Sequence, residues 1–356
     1  MSNVGSSLLQ CEDLQAELDS KFLTCNHAML HRESPFTQFI MSDQNRSGIQ
    51  QTLVPSEGKF LNAVLRYDQK PLLSTISEVD DCNQVCSAGT PVGDLSATYQ
   101  VDPCIKLRTT TESITAMALS RVCRDNMDYV INRINIMAAA LEAKVAEKFA
   151  EDAVALIGNW ASDVSPLTGG ITLQVATRLT GGINLNSNFP SKINMAAKKT
   201  GYCGQIGIFG SSELYEAWDN LNVGCCADNG INLFEMMRRY NKAVMWDSYI
   251  VAALNEDDRN ALMTQLGAMQ PVFANMGSTP EFRNVSGPGS RDFEMFSMTT
   301  PRYGIPFDLT ITNTCGNLSW TLETSPWLFA APLDMFPVTD VYEGVNFVNQ
   351  IQVTNP

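Results

Sequence analysis

The chain has little histidine and little charge. Two of its 356 residues are histidine, and Asp, Glu, Lys and Arg together make up 17%, whereas an average soluble domain has about a quarter. His27 and His31 both lie near the N-terminus, so histidine-based nucleophilic catalysis would have to recruit that region. The low charge predicts that neighbouring molecules cover much of the surface. Composition alone leaves a large enzyme with an ordinary core open as well.

Nucleotide-binding motifs are absent from the sequence. It contains no Gly-x-x-x-x-Gly-Lys-Ser/Thr loop and no Gly-x-Gly-x-x-Gly segment after a predicted strand. The turn at 287–290 (Gly-Pro-Gly-Ser) is not followed by a helix start, so it does not indicate a phosphate site. Carboxylates are numerous, but the sequence does not show which of them lie close together. We therefore expect no catalytic residue and no cofactor-binding residue.

The spacing of potential metal ligands is also uninformative. His27 and His31 are four residues apart, which would place them on one face of a helix, but no Glu-x-x-His context accompanies them. Cys25 is the nearest soft ligand. Cys82 and Cys86 have no second pair that would complete a zinc site. We expect no metal site.

The charge balance is acidic. A formal net charge of −14 does not attract phosphate backbones over long range, which argues against a DNA-binding regulator and leaves a container for DNA possible. Aromatic residues do not alternate with a basic run, so a single-strand binding platform is not indicated. No apolar run approaches the ~20 residues that cross a bilayer.

Ten cysteines invite a disulfide interpretation. The N-terminus lacks a basic segment followed by an apolar one, so we expect no signal peptide and a reducing environment in which thiols stay free. Oxidation of the Cys82/Cys86 and Cys225/Cys226 pairs after release from that environment stays open.

Alternation and turn signals divide the first third of the chain. Residues 1–58 predict an arm with one helix near 8–23, broken at Ser34-Pro35 and again at 45–48. Residues 59–67 alternate and predict a strand, and residues 99–108 predict a returning strand. Pro103 interrupts the second strand, which should therefore be an edge strand or carry a bulge. The two strands would form a long hairpin that needs a surface to lie on.

A very long helix is the strongest local prediction. Thr109 and Glu112 fit a capping box, and no proline occurs from Glu112 to Trp160. Apolar residues recur every three or four positions, and a helix of this length would span roughly 70 Å. A coiled coil or two helices with a kink are alternatives, although a strict heptad is not sustained.

The rest of the chain predicts a mixed region and then strands. We expect strands at 171–175, 205–209, 242–246 and 248–252, and helices at 191–199, 211–221 and 231–240. Residues 262–273 are ambiguous between helix and strand. Two further strands, 307–312 and 318–323, flank a five-residue hairpin loop, and a last alternation runs from 345 to 353.

This order of elements resembles the Hong Kong-type capsid fold of tailed-bacteriophage major capsid proteins, which encapsulins share. Two groups of segments carry the resemblance. Residues 56–70 and 77–82 look like the outgoing limb of the extended loop, and residues 301–309, 315–320, 331–336 and 344–347 look like the closing part of phage coat proteins.

The resemblance implies an α+β fold with five parts. These are an N-terminal arm (1–58), an extended hairpin loop (59–108), a peripheral domain with the long spine helix (109–200), an axial domain (201–318) and returning C-terminal strands (319–356). It implies a structural protein of the virion, assembled in the bacterial cytoplasm into pentamers and hexamers of an icosahedral shell around double-stranded DNA, without sequence-specific DNA contacts. The implied partners are copies of itself and scaffolding and portal proteins. Decoration proteins stay open.

Covalent cross-linking, known in one branch of that family, is not expected. Lys59 and Lys70 lie near the loop, but no asparagine or catalytic acid could be matched to them. N-terminal maturation cleavage is not expected either, which would leave assembly to a separate scaffolding protein. Two other functions stay open: an encapsulin-like compartment, and a cytoplasmic α+β enzyme with an unrecognised site. A tail protein that forms tubes or rings is a third alternative.

Overall fold

The computed structural model describes residues 32–42, 49–56, 60–67, 95–115, 126–157, 171–174, 176–177, 183–184, 193, 205–219, 242–255, 260–275, 293–314, 317–331 and 348–354. The helices are α1 (Pro35–Met41), α2 (Asn126–Ala155), α3 (212–219) and α4 (Ser248–Ala253). The first eight strands are β1 (Ile49–Pro55), β2 (Leu61–Tyr67), β3 (Leu95–Val101), β4 (Leu107–Arg108), β5 (Glu112–Thr115), β6 (Ile171–Gln174), β7 (Ala176–Thr177) and β8 (Ile183–Asn184). The others are β9 (Ile206–Gly210), β10 (Lys242–Trp246), β11 (Asn260–Gln265), β12 (Met269–Phe273), β13 (Phe293–Thr299), β14 (Pro306–Thr314), β15 (Asn317–Thr324), β16 (Pro326–Ala330) and β17 (Val348–Thr354). The described part of the chain is an α+β protein.

The predicted hairpin has a well-defined base. Strands β1, β2 and β3 form an antiparallel sheet in that order, here called the hairpin sheet. Leu61, Ala63, Leu65 and Tyr67 of β2 are all buried, and the residues between them are more exposed. This confirms the alternation read from the sequence, because side chains of a strand point to opposite faces in turn. The last pair between β2 and β3 is Tyr67 with Leu95.

Pro103 separates two strands. Strand β3 is an edge strand, as expected, but it ends at Val101. The amide of Ile105 then donates to the carbonyl of Asp102 at 3.0 Å, which closes a turn around the proline. The next strand, β4, pairs with β15 in a different sheet. The prediction of one interrupted strand is therefore wrong, because proline cannot donate to the ladder and the chain changes sheets there.

The prediction of a helix N-terminus with a capping box at Thr109 is also wrong. Residues Glu112–Thr115 form strand β5, which pairs antiparallel with β15. Ile114 and Thr115 of this segment are β-branched and favour a strand once an open sheet edge is available. Helix α2 runs from Asn126 to Ala155, about 45 Å at 1.5 Å per residue. The prediction of a long helix is confirmed, but the helix does not include Glu112–Thr115, where it was predicted to begin. Residues 116–125 and 158–160 lie outside the described residues.

Helix α2 joins two hydrophobic clusters. Its first half, with Ile134 and Leu141, packs on β14 and β15 through Leu309, Trp320 and Leu322. Strands β13, β14, β15 and β4 form this sheet, here called the helix-facing sheet, with β5 paired to β15. The second half of α2, with Val145 and Phe149, belongs to the other cluster. Exposed positions Ala140, Lys144, Glu151 and Ala155 leave one narrow stripe of the helix open to solvent.

The second cluster lies against a mixed five-stranded sheet. Its strand order is β10-β9-β11-β17-β6, with β9 parallel to β10, β6 parallel to β17, and the other pairs antiparallel. All residues of β9 are buried, as expected for a central strand. Phe209 faces α1, where its ring meets those of Phe36 and Phe39 edge to face at 5.1 and 5.4 Å. The predictions of strands at 205–209 and 242–246 are confirmed.

Three further local predictions need correction. Residues 248–252 are helical, because the Asp247 side chain caps the start of α4. The ambiguous segment 262–273 belongs to two strands, β11 and β12, with Gly267 between them at a φ of 86°. Ser34-Pro35 begins a helix and does not break one, with Ser34 as N-cap and proline in the first turn.

The C-terminal hairpin is confirmed with a shorter loop. Strands β14 and β15 pair from Asp308 with Glu323 to Thr314 with Asn317, so residues 315–316 connect them. The helix predicted from Ser211 is confirmed as α3, where the Leu214 amide donates to Ser211 Oγ at 3.1 Å. The strand predicted at 171–175 is confirmed as β6, and the final strand as β17. The helices predicted at 8–23, 231–240 and, apart from Ile193, 191–199 lie outside the described residues.

Candidate functional site

A buried carboxylate joins the N-terminal segment to the core. Asp247 is 0% exposed. Its Oδ1 accepts from the amides of Tyr249 and Ile250 at 2.9 and 3.2 Å, which caps α4. Its Oδ2 accepts from Ser34 Oγ at 2.7 Å and from the Phe36 amide at 3.0 Å, which anchors the first turn of α1. One carboxylate therefore binds the N-termini of two helices, where negative charge is favourable.

A tight turn at residues 300–305 also contacts the N-terminal segment. The hydroxyl of Tyr303 accepts from the Ser34 amide at 2.7 Å. The turn is held by the Thr300 amide, which donates to the Ile305 carbonyl at 2.9 Å, and by Gly304 at a φ of 64°. Glu142 of α2 accepts from the Arg302 amide at 3.3 Å. The N-terminal segment, α2, α4 and this turn thus meet in one polar junction, defined by Ser34, Glu142, Asp247 and residues 300–305.

Burial changes the acidity of several groups in the polar junction. Burial raises the pKa of Glu142, and hydrogen bonds from Thr300 and the charge of Arg302 oppose this only in part. Burial likewise raises the pKa of both Tyr249 and Tyr303, so their hydroxyls stay neutral. Asp247 has all four of its hydrogen bonds within the chain, which suits a helix cap and leaves no lone pair pointed at a substrate.

Ion pairs attach the segment around β4, and β5, to their neighbours. Glu323 of β15 binds Lys106 at 2.7 Å and Arg108 at 2.5 Å. Burial would raise the pKa of Glu323, but these two cations outweigh it and lower the pKa. Arg133 of α2 forms a two-pronged pair with Glu112 of β5, with Nε at 2.8 Å from Oε2 and the second contact between Nη2 and Oε1. The hydrogen bond to Glu112 raises the pKa of Arg133.

An aromatic ladder connects the hairpin sheet to α2. The rings of Tyr99 and Phe329 stack at 4.5 Å, and Phe329 lies parallel to Trp327 at 6.2 Å. Lys148 of α2 lies over the Trp327 ring at 5.9 Å. The Tyr99 hydroxyl donates to the carbonyl of Ala330 at 2.9 Å. These contacts fix the edge of the hairpin sheet relative to the long helix.

The described residues hold no metal-binding cluster, since no group of three or more His, Cys, Asp or Glu side chains lies close enough to share an ion. Cys104, in an exposed turn, is the cysteine that falls within them, and its thiol is free. His27, His31, Cys25, the pairs Cys82/Cys86 and Cys225/Cys226, and the loop lysines Lys59 and Lys70 lie outside the described residues. Within the described ranges, no helix is both long and apolar enough to cross a membrane.

Sequence reasoning missed the residues of the polar junction. The sequence could have indicated the role of Asp247, because aspartate is a typical N-cap residue and a helix begins at Ser248. Glu142, Tyr303 and Ser34 carried none, since their partners lie between 160 and 269 residues away in the chain.

The proteins to which this chain is similar are known from their structures and not from their sequences. No family model matches the chain, and no curated protein sequence matches it. Among solved structures, the chain is similar to the cyanophage A-1(L) capsid asymmetric unit, with 9% identity over 91% of this chain and 93% of that chain and a TM-score of 0.48. It is similar to the capsid of Ralstonia phage GP4, with 9% identity over 92% and 93% and a TM-score of 0.43.

A phage-related protein from Bordetella bronchiseptica covers 95% of this chain and 96% of its own length, with 9% identity and a TM-score of 0.38. The first two of these structures are phage capsids, and the third is a phage-related protein.

Proposed function

We propose that this chain is the major capsid protein of a tailed bacteriophage, with the Hong Kong-type arrangement of arm, extended loop, spine helix and axial domain. Copies of the chain would assemble into pentamers and hexamers of an icosahedral shell around double-stranded DNA. In this proposal the chain is not an enzyme and has no catalytic, cofactor or metal site. The domain boundaries are those read from the sequence.

The base of the hairpin carries the proposal. Leu61, Ala63 and Leu65 of β2 share one hydrophobic cluster with Val145 and Phe149 of α2. The strands that lead into and out of residues 68–94 are therefore anchored in the core beside the long helix. A segment of this length, entered and left through a fixed two-stranded stem, suits contact with another molecule better than it suits a substrate pocket.

The polar junction supports the same function. It ties the segment that follows residues 1–31 to the core through Asp247 and Tyr303. An N-terminal arm that binds neighbouring copies of the chain has to be held firmly at the point where it leaves its own subunit. Each contact between copies can then be weak, because a closed lattice multiplies them.

Partners and location follow from the proposed function. Copies of the chain are the main partner, with scaffolding and portal proteins during assembly in the bacterial cytoplasm and the virion as the final location. DNA would be enclosed without sequence-specific contacts, in keeping with the net charge of −14.

Electron microscopy of the expressed protein tests the proposal. Negative-stain images with and without the neighbouring genes should show closed polyhedral shells. A shortened variant in which a Gly-Ser linker replaces residues 70–92 should fold with an unchanged melting temperature and form no shells. A monodisperse small oligomer with a turnover activity would overturn the proposal in favour of an enzyme, and a shell that encloses an enzyme without DNA would favour an encapsulin-like compartment.

A further inference from the structure

Two tyrosine hydroxyls hold the backbone of residues 32–36, the N-terminal segment that leads into α1. The Tyr249 hydroxyl donates to the carbonyl of Arg32 at 3.4 Å, and the Tyr303 hydroxyl accepts from the amide of Ser34 at 2.7 Å. Both rings are half-buried and pack on the hydrophobic cluster under the second half of α2. The attachment of the segment therefore depends on the positions of these two rings, and so on the turn at residues 300–305.

Glu142 of α2 binds the turn that carries Tyr303. Its side chain is 2% exposed, and its Oε1 accepts from the Arg302 amide at 3.3 Å. It also accepts from the Thr300 side chain and the Tyr303 backbone. The ion pairs found among the described residues do not include Glu142. A buried carboxylate without an ion pair is costly once it loses its proton, because water does not solvate the charge.

We propose that Glu142 is a proton-dependent switch for the attachment of the N-terminal segment: protonated Glu142 favours the closed turn that holds Ser34, and loss of the proton favours an open turn. The path is short, because Glu142 binds the backbone of the turn and the Tyr303 hydroxyl binds the Ser34 amide. Opening would let water reach the carboxylate. Burial raises the pKa of Glu142, which agrees with this direction. The proposal does not rest on the shell function, since all of its contacts lie within one chain.

Other charged groups lie around Glu142. The charge of Arg302 favours ionised Glu142 but opposes the effect of burial only in part. The remaining groups are Asp247 and Tyr249 beside α4, Tyr303 of the turn, Glu147 of α2, and the exposed Arg32 and Glu33 of the segment.

Asp247 would act in the opposite direction to Glu142. Its Oδ2 accepts from Ser34 Oγ and from the Phe36 amide. Protonation would remove an acceptor from these donors, so Asp247 would loosen the segment as the pH falls. Glu142 would loosen it as the pH rises. The sign of the pH dependence therefore separates the two carboxylates.

Hydrogen exchange of the full chain tests the proposal. Peptides from residues 34–41 report on the segment, and peptides from β14 and β15 report on global unfolding, with rates corrected for the intrinsic effect of pH. We expect protection at 34–41 to fall as the pH rises from the ordinary value of 4.5 to the folded pKa, by up to about tenfold per pH unit. Protection in β14 and β15 should change less.

Three variants identify the groups involved. E142Q should remove the pH dependence at 34–41, because its side chain does not titrate. E147Q, the same change on the same helix at an exposed ion pair with Lys144, should keep it. Y303F retains Glu142 but lacks the hydroxyl that binds Ser34, so it should lower protection at the segment and remove its pH dependence.

Several outcomes would overturn the proposal. Constant protection at 34–41 of the wild type across this window would do so, whether or not E142Q folds. Equal changes at 34–41 and in β14 and β15 would show that Glu142 acts only on global stability. Protection that falls towards acid would assign the effect to Asp247, and a dependence that survives in E142Q or Y303F would assign it to another group or path. Shell formation is scored separately by microscopy, so either proposal can fail alone.

Discussion

Ser34 and Asp247 lie 213 residues apart in the chain and are joined by a 2.7 Å hydrogen bond. Both side chains are buried. The bond attaches the segment before the hairpin to the loop between β10 and α4. Because Asp247 also caps α4, the position of the N-terminal segment and the start of that helix are set by the same carboxylate.

Removing the acceptor on Asp247 should release α1. In Asp247→Asn the amide nitrogen would face the Phe36 amide and Ser34 Oγ, leaving buried donors without acceptors. We expect the free energy of unfolding to fall by about 1–3 kcal/mol, with loss of hydrogen-exchange protection at residues 34–41. Denaturant titration and hydrogen exchange measure both quantities. Asp219→Asn, at an exposed position of α3, is the control, and equal stability of the two variants would contradict the prediction.

Glu142 should make the protein less stable as the pH rises. Its pKa in the fold is above the ordinary value of 4.5, so between those two values the folded chain binds more protons than the unfolded chain. The free energy of unfolding therefore falls as pH rises from about 4.5 through the folded pKa and is constant above it. Glu142→Gln should gain stability relative to the wild type across that window. Denaturation at several pH values measures this, with Glu151→Gln on the exposed stripe as control; a pH-independent difference would refute it.

Glu323 should show the opposite dependence. Lys106 and Arg108 hold its pKa below the ordinary value of 4.5 despite burial. Its contribution is therefore present above that value and lost as pH falls through the lowered pKa. We expect Glu323→Gln to lose about 1–2 kcal/mol at neutral pH, and less in acid. Glu147→Gln, which breaks an exposed pair with Lys144, should cost under about 0.5 kcal/mol. Equal losses in the two variants would count against the prediction.

Asn135 of α2 should be replaceable by an apolar residue with a gain. It is 0% exposed, and neither Nδ2 nor Oδ1 has a hydrogen-bond partner in the described part of the chain. Asn135→Leu should raise the free energy of unfolding by about 1–2 kcal/mol, because a buried amide without partners is costly. Asn132→Leu, at a half-buried site three residues earlier, controls for helix propensity and should change stability by about 0.5 kcal/mol. A loss of stability in Asn135→Leu would show that the amide is needed.

Local patterns predicted the elements whose burial is regular. Buried and more exposed side chains alternate along β2, and apolar residues recur at helical spacing along α2. The period of the apolar residues was therefore enough to identify both elements. The same reasoning failed at Glu112–Thr115, where a capping-box pattern met an open edge of β15. Tertiary pairing outweighs a local preference of this size, since a cap contributes about 1 kcal/mol and a paired strand satisfies several backbone groups at once.

The sequence by itself determined the α+β class, the long helix and the paired strands of the hairpin base. The tertiary structure decided which residues cover the buried face of the hairpin sheet, that the chain changes sheets at Pro103, and that Ser34, Glu142, Asp247 and Tyr303 meet. The physical reason is that the period of apolar residues predicts which side chains are buried. It does not predict which residues they contact, because those contacts depend on how the elements pack in three dimensions. The polar junction, with partners between 160 and 269 residues apart, could therefore be seen only in the folded chain.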